Sequence, residues 1–270
     1  MKILLTGSEG KLSTNTVKPL LKDHEVIPFD LVLGDDIRDA ECIRKKSEGV
    51  DVIIHTASIA GPTKTDNKEL FTSINTNGSK NVIDAAKANS IKKTIYFSSF
   101  SYYGVDSWMR HRKECGPVVG DDVAIPKYLP VDENHPSILE YSGLAEYNGK
   151  LYGRSKALVE EYAKEVGIPF ISMRLAGFCV KDKRHKDRWK ALRKSKGADK
   201  RKQHLYSLAG STTTECLSKA IVKLLLKDCK GFEAYNVCEA GTDLKNVVKM
   251  YFPTLPACDR IFNTDKICGL

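Results

Sequence analysis

The sequence predicts an α/β fold built on a doubly wound parallel sheet. Three observations lead there. Short apolar runs alternate with amphipathic stretches of ten or more residues. The apolar runs lack a two-residue alternation, as strands covered on both faces do. The first run ends in a glycine-bearing turn that leads straight into a helical pattern.

The elements follow in order. Lys2–Leu5 reads as a strand, residues 10–22 as a helix and Glu25–Phe29 as a second strand. A short helix over residues 40–47 precedes a third strand, residues 51–55, apolar at Val52, Ile53 and Ile54. Residues 68–88 repeat apolar side chains at helical spacing through Leu70, Phe71, Ile74, Val82, Ile83, Ala85 and Ala86. A strand over residues 93–98 carries Ile95, Tyr96 and Phe97. Residues 147–166 form a helix with Leu151, Leu158, Val159 and Tyr162, and residues 169–175 a fifth strand. Beyond Leu175 the pattern loosens. A helix over 213–227, a strand over 234–238 and a last helix over 244–251 remain legible. The stretch 105–140 has no period and contains Pro117, Pro126, Pro130 and Pro136, so it reads as a long loop or lid. The expected division is a nucleotide-binding core over 1–175, joined by the strand near 234–238, with a small substrate-binding region over 176–270.

The chain has 270 residues, enough for one large domain or two small ones. Its 41% hydrophobic and 29% charged residues are ordinary for a globular protein and exclude disordered, collagen-like and coiled-coil classes. No apolar run approaches the roughly 20 residues of a membrane helix. The formal charge of +9 first suggests an anionic partner. Residues 181–202 hold 12 basic and 3 acidic side chains, so the other residues balance. Three readings of that segment stand open: a solvated helix and loop, a clamp on an anionic substrate, or contact with nucleic-acid phosphates. The third is the least favoured, and Arg110–Lys113 in the insert carries the same alternatives. The eight cysteines include no C-x-x-C pair and no His at metal-site spacing, so no metal is expected. No signal peptide precedes the first strand, so reduced thiols in the cytoplasm are the expectation.

Candidate binding residues start at the first turn, Thr6-Gly7-Ser8-Glu9-Gly10. Gly7 permits the tight turn, and Gly10 opens the approach of backbone N–H groups to a pyrophosphate at the helix N-terminus. An ordinary strand–helix turn is the plain alternative. Asp30 ends the second strand, 23 residues after Gly7. A carboxylate there accepts bonds from ribose hydroxyls and repels a 2′-phosphate, which favours NAD over NADP.

Tyr152 and Lys156 stand four apart and so share one helix face. A phenol near pKa 10 is a poor base at neutrality, and a neighbouring ammonium lowers that value. Tyr152 can then exchange a proton with a substrate hydroxyl. The serine-rich turn after the fourth strand, Ser98 to Gly104, supplies a hydroxyl to orient the substrate oxygen. Turn formation alone is the plain reading of those serines.

These motifs, taken in series, resemble the extended short-chain dehydrogenase/reductase family, in its NAD-dependent epimerase/dehydratase group. The fold would then be Rossmann-type. Asp36 and Ile37 resemble the family's adenine-contacting pair, and Thr56, Ala57 and Ser58 after His55 lie near its cofactor phosphates. Asn75 opens a segment, to Asn81, that resembles the N-x-x-G-x-x-N helix. Leu129-Pro130-Val131-Asp132-Glu133 continues the series. The resemblance makes Ser99 the catalytic hydroxyl, Ser101 a secondary one, and places Arg174, Lys181 and Arg184 beside the substrate. It covers residues 1–178 and weakens beyond.

Three departures narrow the chemistry. Phe100 and Ser101 stand where the family's dehydratases carry Asp-Glu, which disfavours dehydration. The Ser99-to-Tyr152 separation of 53 residues is long. Leu175-Ala176-Gly177 lacks the family's Pro-Gly. The expected activity is an NAD-dependent oxidoreductase or epimerase acting on a secondary alcohol or ketone of an anionic sugar-type substrate, or of a nucleotide sugar. The alternative is a non-catalytic dinucleotide-sensing or RNA-binding protein on the same fold. The resemblance also implies a homodimer paired through the helices at 68–88 and 147–166.

Overall fold

The computed structural model describes residues 1–59, 68–104, 127–141, 148–179, 212–239 and 262–270. Six strands form one parallel sheet: β1 (Lys2–Thr6), β2 (Glu25–Phe29), β3 (Val52–His55), β4 (Lys93–Ser99), β5 (Phe170–Leu175) and β8 (Phe232–Val237). Their order is β2-β1-β3-β4-β5-β8. A two-residue pair, β6 (Phe178–Cys179) and β7 (Thr212–Thr213), lies apart from it. The chain leaves β1 toward β2 on one side and returns to β3 on the other. That reversal opens a crevice at the carboxyl ends of β1 and β3, the usual ligand position in such sheets.

Alternate strand residues feed two separate cores. Ile3, Leu5, Ile54, Ile95, Phe97 and Met173 face helix α1 (residues 11–20) and α5 (Thr214–Leu226), packed with Val17, Leu217, Ile221 and Leu224. Leu4, Ile53, Tyr96 and Phe170 face the other way. There they meet α2 (Ala40–Lys46), α3 (residues 68–88) and α4 (Asn148–Val166) through Ile43, Val82, Ile83, Val159 and Ala163. Burial on both faces explains the unalternating apolar strands.

The elements agree with the sequence expectation within one or two residues at most ends, with three differences. First, α3 widens into a π-turn over Ser73–Gly78, where Asn75 turns its amide onto the backbone of Ile59. Second, the described end of the 105–140 insert is no lid. Val131 is fully buried and bridges Phe262, and His135 is buried with its Nε2 accepting from Lys127 N at 3.0 Å. Residues 105–126 lie outside the described residues. Third, the described part of 176–270 is largely core. β8 is the edge strand of the sheet, and α5 and a short C-terminal helix α6 (Asp265–Cys268) pack on the sheet through Leu217 and Ile267. The expected helix over 244–251 lies outside the described residues, as does the basic segment.

α5 is fastened at both ends. Thr213 Oγ1 accepts from Cys216 N at its start. At its end the ammonium of Lys93, from the first residue of β4, donates to the carbonyls of Leu224, Leu225 and Lys227 at 2.8, 2.8 and 2.6 Å. These carbonyls have no intrahelical donor, so a cation there replaces water.

Candidate active site

The first turn is shaped by a close approach. Gly7 has φ +67°, and a Cβ there would stand 2.7 Å from Ala57 N and 2.8 Å from Thr56 Oγ1. Only glycine lets the end of β1 lie against the exit of β3 in this conformation. Thr56 locks the contact by donating to Thr6 O at 2.7 Å. Gly10 N closes the turn on Gly7 O, and Thr14 makes the first helical bond, to Gly10 O. The backbone N–H groups of Lys11, Leu12 and Ser13 therefore precede the hydrogen-bonded turns of α1, at its positive end.

Asp30 ends the crevice at β2. Its carboxylate accepts from Glu9 N at 2.9 Å and Val32 N at 3.1 Å, which ties the glycine turn to β2. The residue is half-buried, and each oxygen, accepting one bond, keeps a lone pair for a further donor. Asp36 is paired with Arg38, whose hydrogen bonds hold its carboxyl below the usual range. Ile37 is buried, and its carbonyl accepts from Asn81 Nδ2 at 3.0 Å. Ser58 is half-buried at the start of the crevice wall. Asn75 is buried, and its amide accepts from Ile59 N at 2.8 Å and donates to Ile59 O at 3.0 Å, so it holds that wall.

The catalytic candidates converge at the carboxyl end of β4. Ser99 caps the 3-10 turn Phe100–Tyr103 by accepting from Ser101 N, and its hydroxyl lies 3.2 Å from Ser101 Oγ. α4 descends onto this turn at Gly153. A Cβ on Gly153 would stand 2.2 Å from Ser101 O, so only glycine allows the helix so close. Tyr152, the preceding residue, meets Phe71 of α3 edge-on, with ring centroids 6.3 Å apart. One turn further, Lys156 is buried and donates to Phe97 O at 2.8 Å. Its ammonium is 5.5 Å from the Tyr152 ring centroid and 4.6 Å from that of Tyr96. Burial lowers the Lys156 pKa to about 7, against the pull of Glu160, which favours its charge.

Arg174 has another task than the substrate contact expected of it. It is 1% exposed, and its guanidinium donates to both oxygens of Glu160, to Tyr103 Oη at 2.8 Å and to Glu133 O at 2.9 Å. Ser98 and Ser172 each donate to Glu160 Oε1 at 2.7 Å. Tyr103 donates onward to Asn236, whose own N–H is taken by Glu133. This network joins β4, β5, β8 and α4 behind the serine turn and engages the Arg174 guanidinium that the sequence suggested for substrate. Lys181 and Arg184 lie outside the described residues. Ser101 is 9% exposed beside Ser99.

Sequence reasoning did not single out Gly153, Glu160 or Tyr96. A glycine inside a helix, which weakens it by about 1 kcal/mol, was the available signal for the first. Among the described residues, no cluster of three His, Cys, Asp or Glu is arranged to hold a metal ion. None of the described helices is long and apolar enough to cross a membrane.

The fold is a parallel α/β sheet with a glycine turn at the end of β1 and with Ser99 and Lys156 at the carboxyl end of β4. Comparison with known proteins gives the following likenesses. Residues 13–111 match the model of the 3-beta hydroxysteroid dehydrogenase/isomerase family. An L-arabinose 1-dehydrogenase (NAD(P)(+)) of Haloferax volcanii is 25% identical over 191 residues, covering 67% of this chain and 68% of that protein. A putative UDP-glucose 4-epimerase of Methanocaldococcus jannaschii is 31% identical over 183 residues, covering 60% and 53%. The chain thus spans about two thirds of one curated relative and about half of the other. A short-chain dehydrogenase/reductase superfamily protein from Agrobacterium tumefaciens, solved with bound NAD, superposes with TM-score 0.63 at 15% identity over 100% of this chain and 90% of that one. Over residues 13–111 the chain is thus similar to the 3-beta hydroxysteroid dehydrogenase/isomerase family, and its fold is that of the superposed structure.

Proposed function

We propose that this protein is an NAD-dependent oxidoreductase or epimerase that acts on a secondary alcohol or ketone of a sugar-type substrate. The observation that carries the reading is the seating of Gly153 on Ser101. With the Lys156 ammonium 5.5 Å from the Tyr152 ring centroid, it supports reading Ser99, Tyr152 and Lys156 as one catalytic set. The curated relatives, a sugar dehydrogenase and a sugar-nucleotide epimerase by name, support the substrate class.

The residues of the crevice fit a dinucleotide. Gly7 and the first N–H groups of α1 suit a pyrophosphate, and the remaining lone pairs of the Asp30 carboxylate suit ribose hydroxyls. The Asp30 charge, which disfavours a 2′-phosphate, supports NAD rather than NADP. Lys156 has one hydrogen bond among the described residues, which leaves ammonium protons for ribose hydroxyls. When bound, NAD supplies a hydride acceptor and donor at the nicotinamide ring. Tyr152 takes the proton from the substrate hydroxyl during oxidation and returns it during reduction. The Lys156 ammonium favours the phenolate that does so. Ser99 Oγ holds the substrate oxygen in line with Tyr152. Phe100 is buried against Phe262 at 3.8 Å between ring centroids. By the sequence resemblance it stands where a dehydratase keeps an acid, so elimination of water is not proposed.

An anionic sugar or sugar nucleotide is the proposed ligand, with the basic segment 181–202 as its clamp. The test incubates the purified protein with NAD and L-arabinose, a uronic acid or UDP-glucose. Fluorescence reports reduced nicotinamide, and NMR of the sugar reports an epimer. Turnover of any one sugar supports the reading. NAD binding with no change in any sugar, at any basic-segment charge, supports the dinucleotide-sensing alternative.

A further inference from the structure

A row of buried polar side chains crosses the sheet beneath α3 and α4. Thr6, His55, Tyr96 and Ser172 occupy registered positions on β1, β3, β4 and β5. His55 is fixed at both ring nitrogens: Nδ1 lies 2.6 Å from Thr6 Oγ1 and Nε2 lies 2.8 Å from Ser79 Oγ. Its ring stacks on Tyr96 with centroids 5.4 Å apart and planes at 26°. The Lys156 ammonium stands 4.6 Å from the centroid of that same Tyr96 ring.

We propose that Tyr96 is a positioning residue for Lys156, its ring face, braced by His55, forming the seat that holds the ammonium in place and in its charged form. The catalytic consequence rests on the reading of Tyr152 and Lys156 as the proton-transfer pair. The seat itself is a property of the unliganded protein.

Among the described residues, one carbonyl, Phe97 O, accepts from the buried ammonium. Glu160, one turn on, favours the charge, but its oxygens are shared among Arg174, Ser98 and Ser172. Tyr152 lies one turn back on the same helix, its ring centroid 5.5 Å away. From β3, His55 brings no competing charge, because burial, reinforced by Lys156, holds its pKa down to about 3. From β5, the Arg174 guanidinium is neutralised by Glu160. What remains is the π-face of Tyr96, whose attraction for a cation is strongest where water is excluded. The hydroxyl of Tyr96 contributes no charge. It is fully buried without a hydrogen bond of good geometry, and burial drives its pKa far up.

The ring and the hydroxyl therefore make opposite predictions under substitution. The experiment titrates Lys156 in the protein without added cofactor, by NMR of isotope-labelled lysine, with Lys156→Met used for assignment. Tyr96→Phe keeps the ring and leaves the midpoint within about twofold of the wild-type ammonium fraction. Tyr96→Leu removes the ring and lowers the ammonium fraction about tenfold above the midpoint, within the range of a desolvated cation–π contact. A phenylalanine at 96 carrying one, two and three ring fluorines keeps the shape and weakens the π-face, so the midpoint falls stepwise. That series decides the matter if Tyr96→Leu fails to fold. A midpoint unmoved across the fluorinated series overturns the proposal, as does Tyr96→Phe moving it as far as Tyr96→Leu. Absence of sugar turnover in the wild-type protein would defeat the enzyme reading and leave this titration result standing.

Discussion

Gly153→Ala is the sharpest perturbation available, because it adds one methyl at the contact between α4 and the serine turn, on which the proposed site depends. The new Cβ would lie 2.2 Å from Ser101 O and 3.0 Å from Ser101 C, both backbone atoms. Relief to an ordinary contact needs α4 and the serine turn to part by about 1 Å, the scale of misplacement that lowers reaction rates about 100-fold. The packing strain destabilises the fold by about 1–3 kcal/mol. That is partly offset by the better helix propensity of alanine, worth about 1 kcal/mol. The nucleotide crevice at β1 and β3 does not touch Gly153, so NAD affinity should hold. The assay has three parts: turnover with whichever sugar the wild type uses, NAD titration by intrinsic fluorescence, and denaturant unfolding. Turnover down about 100-fold with NAD affinity within about threefold is the expected result. Wild-type turnover in a folded Gly153→Ala protein would refute the role given to this contact.

Four further outcomes follow from other parts of the structure. Lys93→Met strips the end of α5 of three hydrogen bonds and should lower stability by about 1–3 kcal/mol in denaturant unfolding, with catalysis unchanged. Glu160→Gln leaves the Arg174 guanidinium buried without its counter-ion and should cost about 3–5 kcal/mol. Adding Arg174→Met should recover part of that loss, which a double-mutant cycle measures. Lys156 has a folded pKa of about 7, below its ordinary value of 10.5, so the unfolded chain binds more protons between those values. Its contribution therefore makes wild-type stability rise with pH by about 1.4 kcal/mol per pH unit from about 7 toward 10, relative to Lys156→Met measured in parallel. Asp30→Asn removes the charge but keeps one acceptor for the backbone N–H groups, and should narrow the preference for NADH over NADPH in fluorescence titrations.

The sheet was legible because its strands are buried on both faces, and apolar runs bounded by glycine and serine survive in the sequence as such. The Tyr152–Lys156 pair was legible because helical spacing converts directly into a shared face. The place of Arg174 in the buried network was not legible, for a definable reason. Its partner Glu160 is 14 residues away on another element, and hydrophobic patterning carries no record of which charged side chains meet behind a sheet. The same holds for the row Thr6, His55 and Tyr96, which exists only through the register of β1, β3 and β4. Residues 127–140 looked like loop because Pro130 and Pro136 break any period. Their burial comes from Phe262 and Asn263, more than 100 residues later, the latter donating its N–H to Val131 O at 2.8 Å. The pairing of subunits through α3 and α4 remains a proposal from family resemblance, and light scattering of the purified protein tests it, a stable monomer counting against it.

The central claim is that Tyr152 exchanges the proton while Lys156 and Ser99 hold the geometry. A single-turnover experiment with Tyr152→Phe tests it most directly: protein in excess over NAD and a sugar that the wild type turns over, with reduced nicotinamide followed by fluorescence and NAD affinity measured on the same preparation. The account predicts NAD affinity within about threefold of wild type and a hydride-transfer step slowed by at least about 100-fold. Hydride transfer at the wild-type rate in that variant would contradict it.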